Sequence, residues 1–241
     1  MAKPFTEWTV LPHGPLTRVD ENLMTVTGKL NMPPMGEVDR RMTRVRLRDG
    51  RLVIYSAIAL DEPGMRQLEN FGKPAFLIVP NDIHRMDAAI WRQRYPDLEV
   101  IAPAGARDRV EKVVHVHESE ADFRDPSVQL ITVSGTAERE MALLVETPHG
   151  TTLVINDLIF NLANRPGVTG WLFKVLGMTG DEPHIPPIIK RREVKDERAL
   201  RAQLETWSSL PQLERVVVSH GDIITSEPKE VLRRIAQELA A

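Results

Sequence analysis

The stretch Pro74-Ala75-Phe76-Leu77-Ile78-Val79-Pro80-Asn81-Asp82-Ile83-His84-Arg85-Met86-Asp87 changes character at its midpoint. Its first half is an unbroken apolar run between prolines, which reads as a strand buried on both faces. Its second half is polar and delivers a histidine and two aspartates directly off the strand end. In α/β proteins, ligands sit in crevices at the carboxyl ends of strands. Asn81 or Asp82 can cap a following helix that runs to about Arg94, with Ile83, Ala88, Ile90 and Trp91 on its apolar face. Pro96-Asp97 ends it.

Working outward, the same grammar repeats. Met42-Thr43-Arg44-Val45-Arg46-Leu47 alternates as a half-buried strand, Asp49-Gly50 is a two-residue hairpin turn, and Leu52 to Ser56 returns as the partner. Short strands are expected earlier, at 8–11 and 23–26, broken by Pro12, Gly14 and Pro15. A helix over 62–71 closes at Gly72, and 99–102 is another strand. Downstream, 113–117, 128–133, 141–147 and 151–155 read as strands, with a turn at His149-Gly150. Residues 197–207 form an amphipathic helix on Leu200, Leu204 and Trp207. Residues 215–219 are a buried strand. Ser226 is expected to cap a last helix with Pro228 in its first turn and Val231, Leu232, Ile235 and Leu239 facing inward. Strands followed by helix, twice over, imply two packed sheets with outer helices in one domain over 1–241. Residues 161–190 stand apart as a Gly- and Pro-rich insert with a short helix at 171–176. That helix is a lid, a dimer surface, or a helix packed on the core.

Composition narrows the function classes. The chain has 241 residues, 42 % hydrophobic and 27 % charged, with a net charge of -3 and no cysteine. Disulfides, thiolate metal sites and a cysteine nucleophile are excluded. Any metal must sit on His, Asp, Glu or Asn. The acidic balance gives no reason to expect nucleic acid. The start carries no apolar signal core, and no run approaches the roughly 18 residues of a membrane span. A cytoplasmic protein acting on a small molecule, without a membrane partner, is the expectation, with a homodimer left open.

Three strand ends carry the candidate chemistry: Asn81 to Asp87, Asn156-Asp157, and Ser219-His220-Gly221-Asp222. His84, Asp157 and His220 could converge on one divalent ion and leave positions open for water or substrate. Each also has a plainer reading, since Asn81, Asp82 and Asp157 are plausible helix caps and His220-Gly221-Asp222 a polar turn. Asp87 lies one helical turn beyond His84. It is a further ligand, a partner to His84, or a solvated charge. His115 and His117 alternate on one expected strand, where exposed histidines are commoner than ligands. Ser56 stands in no nucleophile elbow and has no evident triad partner. No phosphate-cradling glycine loop is present.

Taken together, Arg41 to Ser56, Pro80-Asn81 with His84, Asn156 to Asn161, Trp171 to Gly180 and Ser219 to Asp222 resemble the metallo-β-lactamase-like superfamily. Within it they are most similar to a bacterial and plant branch of unknown function. The resemblance spans about residues 8 to 235. It implies a four-layer αββα sandwich, an α/β (α+β) fold. The superfamily's His-x-His-x-Asp-His motif overlays Asp82 to Asp87, keeping only its second histidine, as His84. Met86 replaces the aspartate that would hold a second metal, and Thr136 falls where another histidine is expected. Asp157 matches the bridging aspartate and His220 the final histidine. Two functions follow. One is a metal-dependent hydrolase of a small ester, thioester, lactone or phosphoester. It would use one divalent ion, zinc first with manganese or iron open, on His84, Asp157 and His220, with Asp82 or Asp87 as extra ligand or general base. The other is a metal-free binding protein on the same scaffold.

Overall fold

The computed structural model describes residues 3–32, 36–164 and 166–239. Six strands form the first sheet in sequential order: β1 (Thr17–Asp20), β2 (Leu23–Met32), β3 (Gly36–Arg46), β4 (Arg51–Tyr55), β5 (Lys73–Ile78) and β6 (Glu99–Ile101). β1 to β4 are antiparallel, and β4, β5 and β6 run parallel. The second sheet has the order β10-β9-β8-β7, from β7 (Val128–Thr132), β8 (Met141–Thr147), β9 (Gly150–Asn161) and β10 (Leu213–Gly221). Here β9 and β10 are parallel and the other pairs antiparallel.

Three apolar interfaces stack these elements into layers. The inner one joins the sheets, with Val45, Tyr55, Phe76 and Ile78 against Met141, Leu143, Val154 and Val217. The outer face of the first sheet is covered by α1 (Glu62–Phe71), α2 (Ala88–Arg94) and the short α3 (Arg107–Val110) through Met65, Leu68, Ile90 and Trp91. The outer face of the second is covered by α6 (Glu197–Ser208) and α7 (Pro228–Glu238) through Leu200, Leu204, Trp207, Leu232 and Ile235. The result is an αββα sandwich. Both α1 and α6 begin on aspartates whose carboxylates accept backbone N–H groups, Asp61 from Gly64 and Asp196 from Ala199, each at 2.9 Å. The hairpin between β3 and β4 turns at Gly50, whose φ of 85° suits glycine.

Four local expectations are corrected. Residues 8–11 form no strand; Trp8 instead donates its indole N–H to the Leu60 carbonyl and packs on Trp91. Residues 113–117 form no strand: the isolated bridge to Ile101 comes from Glu118, and Val114 and Val116 bury in the cluster of the outer helices rather than in a ladder. The helix after β5 starts at Ala88, because the Asn81 side chain accepts the N–H groups of both Ile83 and His84 and folds 81–84 into a tight turn. The last helix is preceded by Glu227, at φ 46° and without a side-chain cap, not by Ser226.

The insert holds two helices, α4 (Gly167–Val175) and α5 (Pro187–Glu193). Phe173, Met178 and Ile189 bury against Val38, Phe160 and Leu162, while Trp171 and Val175 point to solvent. Among the described residues no helix is long and apolar enough to cross a membrane.

Candidate metal centre

The parallel strands of both sheets end on the same side, and their carboxyl ends meet. From the first sheet, β4 delivers Ser56 and β5 delivers Asn81 and His84. From the second, β9 delivers Asp157 and β10 delivers His220. Asp157 sits where the β9–β10 ladder slips. Val218 pairs with Ile155 and His220 with Phe160, so five residue steps on β9 face two on β10. Such bulges re-aim side chains next to functional sites. Gly221 permits the close approach: at φ 98°, an added Cβ would lie 1.9 Å from the Asn161 carbonyl oxygen.

The three side chains come together. His84 Nε2 lies 3.0 Å and His220 Nε2 2.9 Å from the same Asp157 oxygen, Oδ1. One donor atom from each residue falls within 4.8 Å of the other two. Asp157 and His220 are buried. The remaining atoms of the cluster are fixed from behind. His84 Nδ1 is 2.7 Å from the Ser56 hydroxyl, and His220 Nδ1 is 2.6 Å from the Asp39 carbonyl. Asn81 donates to Asp157 Oδ2 at 2.7 Å and reaches Glu140 at 3.3 Å. Glu140 in turn accepts the N–H of Leu158 on the bulge. Phe160 packs its ring 4.5 Å from that of His220.

The bonding pattern fits a cation. A carbonyl can only accept, so the Asp39 contact requires a proton on His220 Nδ1. Its Nε2 faces a carboxylate oxygen at 2.9 Å, a contact that a ring N–H or a shared metal ion satisfies. Two imidazoles and a carboxylate form a donor set for a divalent transition metal, with the far ring nitrogens orienting the ligands. Burial raises the Asp157 carboxyl, but the facing charge of His84 and hydrogen bonds from His220 and His84 outweigh it and hold it well below the usual range. Burial and the Asp157 charge push Glu140 well above its own.

Asp82 and Asp87 have other partners. Asp82 is buried among Arg109, Arg139 and Arg192. Burial raises its carboxyl, and those guanidiniums more than reverse the effect. Asp87 pairs with the buried Arg40 and accepts the Ala59 N–H at 3.0 Å. Thr136 gives its hydroxyl to the Val133 carbonyl. His115 is exposed beside Glu111, and His117 accepts the Val100 N–H.

Sequence reasoning did not assign Ser56, Asp39, Asn81 or Glu140 to the site. Ser56 carried a signal, since it follows a strand as directly as the other clusters do. It adopts φ 57°, a conformation uncommon in a non-glycine residue. Glu140 stands in the sequence only as an acid at the head of the apolar run of β8; its complete burial is a finding of the structure.

The cluster opens into a cavity of about 240 Å³. Leu30, Val38, Ile83, Met86, Phe160 and Met178 give it a largely apolar wall, and Leu176 and Ile188 of the insert flank it. Arg40, Arg192 and Asp82 supply charge at its edge.

No protein-family model and no curated protein matches the chain. Solved structures do. The metallo-β-lactamase FIM-1 from Pseudomonas aeruginosa, in its mono-zinc form, superposes with a TM-score of 0.62 at 11 % identity, covering 95 % of this chain and 96 % of its own. DIM-1 metallo-β-lactamase exposed to ceftazidime gives 0.64 at 14 %, covering 97 % and 100 %. The metallo-β-lactamase from Hirschia baltica gives 0.61 at 11 %, covering 93 % and 98 %. The chain therefore has the metallo-β-lactamase fold over nearly its whole length, with a His84–Asp157–His220 group that can hold a metal ion.

Proposed function

We propose that the protein is a metal-dependent hydrolase of a small ester, thioester, lactone or phosphoester. His84, Asp157 and His220 would hold one divalent ion. The observation that carries this is the convergence of His84 Nε2 and His220 Nε2 on one oxygen of Asp157, at 3.0 and 2.9 Å, with the far ring nitrogens held by Ser56 and the Asp39 carbonyl. Zinc is the first ion to test, given the mono-zinc form of FIM-1. Manganese and iron suit the same donors.

When bound, such an ion supplies Lewis acidity and brings the pKa of water toward neutrality. The chain supplies the rest. Ser56 and the Asp39 carbonyl fix the two ring planes, and Asn81 fixes the second oxygen of Asp157. Glu140 braces both Asn81 and the bulge that presents Asp157. The apolar wall seats the substrate's carbon skeleton and excludes bulk water, which strengthens the electrostatics inside.

The test is turnover of p-nitrophenyl butyrate, S-butyryl thiocholine and a γ-lactone by zinc-loaded protein, beside His220→Ala and Asp157→Asn. Hydrolysis that disappears in both variants supports the reading; hydrolysis that survives in both contradicts it. A second reading, a binding protein without metal chemistry, is favoured by the reduced donor set, with Met86 on the cavity wall and the Thr136 hydroxyl tied to Val133. Its signature is thermal stability that does not respond to zinc.

A further inference from the structure

Two independent features put guanidinium groups at the edge of the apolar cavity. The first is Arg40. It lies on β3 beside Asp39, whose carbonyl holds His220, and its side chain faces the cavity from the same strand face as Val38. It is only 4 % exposed. Asp87 takes its Nη1, but its Nε has no hydrogen-bond partner among the described residues. A buried donor left unpaired is costly unless a ligand completes it. The second is the cluster at the rim. The Arg109, Arg139 and Arg192 guanidiniums surround Asp82, with Glu193 beside Arg139 and Arg192. Three cations face two acids, and Arg192 itself lines the cavity.

We propose that the cavity takes single-chain amphiphilic acids, with the chain on the apolar wall and the acidic group on Arg40 and Arg192. As a substrate class, this rests on the hydrolase reading and narrows it to acyl compounds carrying a carboxylate, phosphate or like anion. A guanidinium in a low-dielectric wall binds an oxyanion through charge-assisted hydrogen bonds, about twice as strong as neutral ones. Octan-1-ol has the chain without the charge, so the two parts are separable.

The experiment is calorimetric binding of 1-octanesulfonate, a poor zinc ligand, and of octan-1-ol, to zinc-loaded and zinc-free protein. The sulfonate is expected to bind at least about tenfold more tightly than the alcohol in both forms, since a charged hydrogen bond is worth about that factor. Arg192→Gln should remove most of that preference while leaving octanol binding in place. Arg40→Gln is made together with Asp87→Asn so that no buried charge is left unpaired, and it should do the same. Arg192 is partly exposed, so its variant carries the test alone if the double variant does not fold. Equal binding of the two probes, or a preference unchanged in Arg192→Gln, would overturn the proposal. These readouts need no turnover. An arginine-dependent preference in a protein that cleaves no ester removes the hydrolase reading and keeps the anion site. Turnover of neutral esters without the preference does the reverse.

Discussion

At the scale of single residues, the candidate centre is three side chains, His84, Asp157 and His220, held by a second set of groups. Ser56 shows the relation most simply. It is buried and its hydroxyl meets Nδ1 of His84, so it positions that ring. Ser56→Ala should weaken metal affinity about 10- to 100-fold, the usual loss when a ligand's orienting partner is removed. The thermal midpoint of the metal-free protein should barely move. A competition titration with a chromophoric chelator measures the first and a melting curve the second. The convergence of His84, Asp157 and His220 was legible in the sequence because each belongs to a polar cluster that follows an apolar run. Their supporting groups were not. The Asp39 contribution is a backbone carbonyl, invisible to residue type, and Glu140 reaches the site only through Asn81. Asp82 and Asp87 looked equally available in sequence. What commits them is the arrival of Arg40, Arg109, Arg139 and Arg192 from other elements.

At the scale of elements, the site depends on where strands stop and slip. The slip in the β9–β10 ladder leaves Asp157 in the unpaired stretch that reaches His220, and Gly221 lets β10 close on β9. Gly221→Ala would put a methyl group into the Asn161 backbone and force a left-handed alanine. A loss of about 2 kcal/mol or more in unfolding free energy is expected, with metal affinity falling as well. Urea titration of the metal-free variant checks the first. The β3–β4 hairpin was readable from Asp49-Gly50 alone, because that turn chemistry is local. Residues 113–117 misled because apolar alternation reports burial of one face and cannot say whether a neighbouring strand is there. The tight turn at 81–84 was hidden for a related reason. The Asn81 side chain, expected to cap a helix, bonds two N–H groups and delays the helix instead.

At the scale of the whole molecule, charged contacts tie the two sheets together around the apolar interface. Asp20, at the end of β1, accepts from Thr147 and Arg215 of the second sheet, and Arg41 of β3 donates to the carbonyls of Val218 and Gly221. Burial opposes the ionised form of Asp20, but Arg215, Thr147 and His149 outweigh it and lower its pKa, as guanidiniums do for Asp82. A carboxyl with a lowered folded pKa stabilises fully above its unfolded value, about 4, and that stability is lost as pH falls through the folded value. Glu140 and Glu193 act oppositely, since burial raises both above the usual range. Their protonated forms suit the native state, so stability should hold or rise slightly from pH 7 to 5 and then fall below about 4. Urea midpoints of metal-free protein across that range check this, and Asp20→Asn should flatten the acidic limb. The αββα architecture was legible at this scale because each helix and strand pattern repeats twice, whereas the sheet-to-sheet ties join residues far apart in the chain. The most direct test of the central claim is elemental analysis of untagged protein purified without chelator, beside His220→Ala. About one divalent ion per chain in the parent and none in the variant is the expected result. No ion in either, and no uptake of added zinc, manganese or iron, would contradict it.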